Sequence, residues 1–388
     1  LQRKNDVSER DILLDATPLS YARKTESLGA EIKLLQTNKN ELEESCVHEE
    51  IINILYYSSL LGYDDVCKLF TVEELNSLWC ELNFVTTDYA TTPLLLACEN
   101  GNLKIVEYFV KSGVDVNRVN ENGGTPLYIA SLRGHQEVVE YLCTVGAEIN
   151  RADNQGGTPL YAASFNGHEN VVEYLVTVGA EINRSDDYGA TPLILACVKG
   201  HDKVVEYLTK TGAEVNRANN DGVSPLFAAS FNGHGKVVEY LTTVGAEINS
   251  ATNNGRTPFF AASTSGYEQV VEYLATVGAE INAATNEGWT PLYAASYKGH
   301  EKVVAYLATF SAEVNRAGND GTTPLIVAAS KGHEKVVACL AEAGAEINRA
   351  TNDGATPLIA ASLRGHEQVV EYLTTVGAEI NSAGHDGR

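Results

Sequence analysis

NRADNQGGTPLYAASFNGHENVVEYLVTVG, the stretch from Asn150 to Gly179, decides the fold because close copies of it recur along most of the chain. Its Thr-Pro pair returns at a constant interval of 33 residues, without insertion or deletion. The nine copies of this pair begin at Thr92, Thr125, Thr158, Thr191, Ser224, Thr257, Thr290, Thr323 and Thr356. A fixed period of this size is typical of a repeat array, in which structural units stack instead of enlarging one core. We number the units 1 to 9 by these residues.

Each unit carries the signals for two short helices. Thr158 is a predicted N-cap, whose hydroxyl accepts a backbone N–H, and Pro159 suits the first helical position. Gly167 is predicted to end this helix in the left-handed conformation. Val171 and Leu175 belong to the apolar side of a second helix. The sequence therefore predicts a helix-turn-helix unit that is joined to the next by a loop.

The complete pattern resembles the ankyrin repeat. It reads T-P-L-x-x-A, G-H, V-V-x-x-L and G-A-E-[IV]-N at a period of 33, over residues 86–388. The resemblance implies an all-α repeat solenoid of nine units, each with two antiparallel helices and a β-hairpin loop at right angles to them. With packed helices 8–10 Å apart, we expect a gently curved, L-shaped stack of about 80–90 Å.

Some residues depart from the family pattern. The family usually has His after T-P-L, whereas this chain has Leu95, Tyr128, Tyr161, Ile194, Phe227, Phe260, Tyr293, Ile326 and Ile359. We expect the polar network that this His supports to be reduced or rebuilt. The His of the G-H turn is also replaced twice, by Asn102 in unit 1 and by Tyr267 in unit 6.

Residues 1–85 do not follow the period. Glu49 to Leu61 is apolar almost all round, which is typical of a buried helix, and Gly62 is predicted to end it. Thr71 begins a further predicted helix with capping-box spacing. We interpret the region as degenerate ankyrin-like repeats that cap the array; a separate small helical domain is the alternative. Because the chain starts at Leu1 and has no Met, we expect the native start to lie upstream.

The net charge of −23 argues against nucleic acid and anionic membranes as partners, because no stripe of Lys and Arg could follow their phosphates. The acid either keeps a long array in solution or attracts a protein partner with a basic surface. The seven cysteines form no C-x-x-C pair, which indicates a reducing compartment, and we expect a cytoplasmic protein. No apolar run is long enough for a transmembrane helix.

Two polar columns invite a chemical interpretation. One consists of His135, His168, His201, His234, His300, His333 and His366. Its members lie one repeat apart, whereas zinc needs several ligands at about 2.0–2.1 Å, so we predict turn-stabilising residues. The other column, Glu148, Glu181, Glu214, Glu247, Glu280 and Glu346, is interpreted as a solvated face. Since no catalytic motif occurs either, we predict no active site, metal, cofactor or small-molecule substrate.

The positions that differ between units are better candidates for function. They are the hairpin tip, the residue before the capping Thr, and the two residues before the helix-ending Gly. Resemblance to ankyrin repeats places them on the concave face and the finger tips, where the family binds partners. Aromatic residues and Arg dominate interface hot spots. The predicted partner-binding residues are Trp289, Tyr297, Arg256, Phe231, Tyr188, Phe165, Tyr293 and Lys298. In the alternative interpretation, the rings at residues 165, 231, 289 and 297 only pack against neighbouring units.

Three hypotheses for function remain open. The leading one is a non-enzymatic scaffold that binds a protein partner; the others are an architectural or elastic spacer, and the targeting arm of a larger enzyme. Arg388 stops one residue before the next expected Thr, so we expect the natural protein to continue, or a partner to cover this end. The loop Asn residues, such as Asn150, also match the family's L-x5-[DE]-[VI]-N hydroxylation pattern. A tight loop needs the same residues, so hydroxylation is a further hypothesis.

Overall fold

A computed structural model describes residues 55, 58–60, 62, 92–310 and 312–380. Residues 92–310 and 312–380 form nine pairs of short helices, and the described residues contain no β-strand. The first helices span Pro93–Glu99, Pro126–Arg133, Pro159–Asn166, Pro192–Lys199, Pro225–Asn232, Pro258–Ser265, Pro291–Lys298, Pro324–Lys331 and Pro357–Arg364. The second helices span Leu103–Lys111, Gln136–Thr144, Glu169–Thr177, Asp202–Lys210, Gly235–Thr243, Glu268–Thr276, Glu301–Thr309, Glu334–Glu342 and Glu367–Thr375.

The described residues fall into two compact parts. One contains those up to Ala130 together with Glu137–Ala147, and the other contains Ser131–Gln136 and those from Glu148 onward. In the second part, the first helix of each unit packs on the first helix of the next, and the second helices do the same. The predicted all-helical repeat array is confirmed.

The first helices of units 3 to 9 begin and end as their sequence predicts. In unit 3, the Oγ1 atom of Thr158 accepts a hydrogen bond from the backbone N–H of Tyr161 at 3.2 Å, and Pro159 follows the cap. Gly167 ends the helix with φ = 75°, a conformation that favours glycine. The equivalent cap is present in units 4 to 9. Local capping therefore fixes the ends of a helix of only eight residues.

Small and branched residues form the core of each unit. Leu160, Ala163, Val172 and Leu175 have no exposed surface in unit 3, and the same columns are buried throughout units 4 to 8. Alanine on the first helix lets neighbouring first helices approach closely, while Val and Leu of the second helix fill the space between. The core is thus a continuous repeat of the same contacts.

The His column joins successive units. In unit 4, the Nε2 atom of His201 lies 3.0 Å from the carbonyl oxygen of Phe165 in unit 3, and its ring lies against Gly167. A Cβ at residue 167 would come within 2.4 Å of the His201 Nδ1 atom, so glycine is needed for space as well as for its φ. Equivalent bonds are made by His168, His234, His300, His333 and His366. The predicted structural role of the column is confirmed, although the bond links two units rather than closing one turn.

Unit 1 uses Asn102 in the place of this His. Its Nδ2 atom donates to the carbonyl oxygen of Ser59 at 2.7 Å. Leu55 and Ser58 to Leu60 are helical, and Gly62 has φ = 75°, as predicted for the end of this helix. The predicted helix from Thr71 lies outside the described residues, as does the rest of residues 1–91.

The loops between units are tight turns. The backbone N–H of Asp153 donates to the carbonyl of Gly157 at 2.9 Å, and that of Gly156 donates to the carbonyl of Asp153 at 3.1 Å. The hairpin implied by the family is thus closed by two bonds within five residues, too short a segment for a β-ladder. One further bond, from the N–H of Asp187 to the carbonyl of Gln155 at 2.9 Å, joins this turn to the next.

None of the helices in the described ranges has the length and hydrophobicity that crossing a bilayer requires.

Candidate partner-binding surface

Three of the variable positions in each unit recur at one spacing along the first helix. The residue before the capping Thr, the third after it and the seventh after it are spaced by four, so they share one side of the helix. In unit 7 these are Trp289, Tyr293 and Tyr297, which we call the aromatic strip. In unit 3 they are Gly157, Tyr161 and Phe165.

Trp289 is held by Tyr293. The two rings are stacked, with centroids 5.4 Å apart and planes 6° from parallel. Tyr293 is only 8% exposed, and burial raises the pKa of its hydroxyl to about 12, with a smaller contribution from Asp320. Tyr293 therefore lies beneath the indole and offers little surface of its own, while Trp289 is half-buried. The buried ring of Tyr293 thus forms the base on which Trp289 packs.

Gly318 of unit 8 makes room for this indole. A Cβ at residue 318 would lie 2.9 Å from Cδ1 and 3.2 Å from Nε1 of Trp289. No φ in the left-handed region accompanies this glycine, so the reason for it is space. The equivalent places in units 2 to 7 and 9 hold Asn120, Asp153, Asp186, Asn219, Thr252, Thr285 and Thr351. The sequence analysis did not identify this relationship, although Gly318 stands out in its column.

The other side chains of this column close their own turns. The Oδ1 atom of Asp186 accepts from the N–H of Ala190 at 2.7 Å, and Thr285 accepts from the N–H of Trp289 at 3.3 Å. Gly318 has no side chain to make this bond in unit 8. Asp320 closes the turn instead, since its Oδ1 atom accepts from the N–H of Thr322 at 2.9 Å. Unit 8 thus keeps a capped turn while leaving space for Trp289.

Tyr297 lies at the other end of the strip and is 39% exposed. The Nζ atom of Lys331 in unit 8 is 4.5 Å from the centre of its ring, and that of Lys298 is 5.5 Å away. Both distances suit cation–π attraction. The same relationship occurs between Phe165 of unit 3 and Lys199 of unit 4, whose Nζ atom is 4.4 Å from the ring centre.

Phe231 and Tyr188 present further aromatic surface. Phe231 is 41% exposed and stacks on the buried Phe227, with centroids 6.3 Å apart. Tyr188 is 66% exposed at the tip of the turn that precedes unit 4. Phe165 is half-buried, so the alternative interpretation as a packing residue fits it better than it fits Phe231 or Tyr297.

Arg256 lies partly over a ring as well. Its Cζ atom is 6.0 Å from the centre of Phe260, and its Nε atom is buried without a hydrogen-bond partner among the described residues. The pKa of the Glu287 carboxyl is lowered, mainly by a hydrogen bond from Thr285 and also by the charge of Arg256. This cation therefore has an acidic neighbour.

An asparagine ladder ties the turn tips together. The Nδ2 atom of Asn253 donates to the carbonyl of Asn220 at 2.8 Å, and that of Asn286 donates to the carbonyl of Asn253 at 3.0 Å. Asn220, Asn319 and Asn352 continue the ladder. Asn recurs at this place in five successive units, a signal that the sequence analysis did not use. The tips are consequently bonded to one another as well as exposed.

The loop Asn of G-A-E-[IV]-N forms a second link. Oδ1 of Asn216 accepts from the N–H of Glu247 at 2.8 Å, and its Nδ2 donates to the carbonyl of Gly245 at 3.2 Å. The hydroxylation hypothesis concerns these residues and stays a prediction. The adjacent Glu column is exposed, and four of its members pair with Arg three residues later, as in Glu214 and Arg217 at 3.8 Å.

Several cations elsewhere on the array are paired with carboxylates. On the second helices, Lys203, Lys302 and Lys335 lie 3.1 Å from Glu169, Glu268 and Glu301 of the preceding units. By contrast, Lys199, Lys298 and Lys331 have no carboxylate within ion-pair distance in the described part of the chain. Nor do these ranges contain a group of three or more His, Cys, Asp or Glu that could hold a metal.

Comparison with known families agrees with this architecture. The family model for ankyrin repeats (3 copies) matches six overlapping segments: residues 55–153, 94–186, 146–219, 185–252, 226–317 and 310–383. The first segment begins ahead of residue 86, where the sequence predicts the array to start. No curated protein gives a match. Since the matched segments span well over half of the 388 residues, the chain belongs to the ankyrin repeat family.

Proposed function

We propose that this chain is a non-enzymatic scaffold, which binds a protein partner on the concave face and the hairpin tips of its array. Ankyrin repeats are generally modules of protein–protein interaction. The observation that supports the proposal best is the aromatic strip, in which Trp289 is stacked on Tyr293 and Tyr297 keeps 39% of its surface exposed. Large aromatic side chains of this kind dominate the energy of protein interfaces.

Rigidity favours such a site. An interface loses free energy when flexible side chains become ordered on binding, and a ring that is already fixed avoids much of that loss. The indole of Trp289 stacks on Tyr293 and packs against Gly318, and these contacts hold its position in the absence of a partner. The asparagine ladder does the same for the turn tips.

We place this interaction in the cytoplasm. The four cysteines in the described ranges, Cys98, Cys143, Cys197 and Cys339, are unpaired, and free thiols suit a reducing compartment.

Selection of short random peptides on the purified chain tests the proposal. We expect peptides that bind the wild type and lose binding to the Trp289→Ala/Tyr297→Ala variant. The matched control is Tyr306→Ala/Phe310→Ala, which removes a stacked aromatic pair at the end of a second helix, with centroids 5.3 Å apart. Peptides that bind the first variant as well as the wild type would show that recognition lies elsewhere on the chain. If no peptides are obtained at all, the spacer hypothesis is favoured.

A further inference from the structure

The charges around Tyr297 bear on the chemistry of its partner. Lys298 and Lys331, which we call the lysine edge, place two exposed ammonium groups within 4.5 to 5.5 Å of the ring centre. Both ammonium groups thus lie close to the Tyr297 ring. A basic partner segment would meet repulsion at this edge, whereas carboxylates could accept hydrogen bonds from these ammonium groups.

The absence of a carboxylate at this edge contrasts with three lysines of the second helices. The chain has 51 acidic and 28 basic residues, so acidic partners for lysine are abundant. Lys203, Lys302 and Lys335 on the second helices each have one at 3.1 Å. Within the described ranges, the lysine edge has none. Its donors therefore remain available to a group from outside the chain.

Carboxylates lie beside the Trp289 end of the aromatic strip. Glu287 and Asp320 lie at the turn tips beside Trp289 and Tyr293, and Asp320 contributes to the raised pKa of Tyr293. A long polyanion would meet these carboxylates as well as the lysines, and the net charge of −23 would oppose it. A short segment with one or two carboxylates meets the lysine edge alone and can lay apolar side chains over Trp289.

We infer that the aromatic strip and the lysine edge recognise an acidic, partly apolar segment of a protein partner. Its carboxylates contact Lys298 and Lys331, and its apolar side chains cover Trp289 and Tyr297. The recurrence of the ring–lysine contact at Phe165 and Lys199 gives a second, weaker place for the same chemistry. This inference rests on the proposed function.

The peptide selection described above provides the test. Among peptides that require Trp289 and Tyr297, we expect enrichment of Asp or Glu next to an aromatic or aliphatic residue. Lys298→Gln/Lys331→Gln should weaken their binding about tenfold. The control Lys203→Gln/Lys302→Gln removes the same charge from the second helices and should change binding less than about twofold. Thermal unfolding and circular dichroism of each variant show that the fold is intact.

The outcomes separate the two proposals. Peptides that need the aromatic strip but are basic or neutral, or that bind equally to Lys298→Gln/Lys331→Gln, overturn the acidic partner and leave the proposed function standing. Failure to obtain any peptide that needs Trp289 and Tyr297 overturns both. A single-stranded oligo-dT probe that binds as tightly as the acidic peptides, through the same lysines, would assign the edge to nucleic acid instead.

Discussion

Trp289 of unit 7 and Gly318 of unit 8 fit together, since a Cβ at residue 318 would come within 2.9 Å of the indole Cδ1 atom. Unit 8 is the only one of units 2 to 9 with glycine at this place. In units 3 and 4 the large and the small residue exchange places: the glycine, Gly157, precedes the capping Thr158, and the larger Asp186 lies in the next turn. There the Tyr161 hydroxyl donates to Asp186 at 2.9 Å, so the polar link has been rebuilt without His.

Gly318→Asp should therefore displace the indole. Adding a side chain to a filled space strains the contact, and we expect a loss of about 1–3 kcal/mol together with a red-shifted Trp289 fluorescence. Trp289→Gly/Gly318→Asp recreates the pairing of units 3 and 4 and should recover part of that loss. Denaturant unfolding of the wild type, both single variants and the double variant measures the coupling. Additive effects in this cycle would show that the two positions are independent.

Asn216→Ala should weaken the contact between units 4 and 5. The substitution removes one bond to the N–H of Glu247 and one to the carbonyl of Gly245. We expect a loss of about 1–3 kcal/mol, seen as a lower unfolding midpoint. Asn254→Ala is the control, because this exposed tip residue contributes its backbone carbonyl to the next turn. An effect of equal size at both positions would contradict the assigned role.

His168 should make stability depend on pH. Burial lowers its pKa, and the charges of His135 and His201 lower it further, although the backbone hydrogen bond at Leu132 acts in the opposite direction. A lowered pKa in the folded state means that the unfolded chain binds the proton more tightly. The contribution is therefore present above about pH 6.5 and is lost as the pH falls through the folded pKa.

His168→Asn tests this prediction, because Asn102 makes the equivalent bond in unit 1 without a titrating group. We expect a smaller loss of stability between neutral and mildly acidic pH than in the wild type. The readouts are thermal midpoints across this range and the NMR titration of the His168 ring. An NMR pKa at or above the ordinary value for His would contradict the account.

The sequence was sufficient to predict the helices of the array because its caps and glycines act locally. Thr158, Pro159 and Gly167 each perform the role that their residue type and position imply. Contacts between units were harder to predict. The indole of Trp289 lies against Gly318, and His201 reaches the carbonyl of Phe165, because the stacking of units brings together residues that are distant in the sequence. Such pairs become visible only when columns of neighbouring units are compared.

Within the strip, the sequence singled out these positions but did not predict how exposed each side chain is. Trp289 and Tyr297 retain exposed surface, whereas Tyr293 is buried beneath the indole. Residue type alone could not distinguish them, since burial depends on the ring that lies above. The lysine edge was predicted only in part: Lys298 was named, and Lys331 reaches the same ring from the next unit.

The affinity of a selected peptide for the wild type and for Trp289→Ala/Tyr297→Ala tests the central claim most directly. Isothermal titration should show a loss of at least about 100-fold in the variant, because two aromatic hot spots are removed. The control Tyr306→Ala/Phe310→Ala should bind within about twofold of the wild type. If the strip variant also binds within about twofold, the recognition surface does not lie at Trp289 and Tyr297.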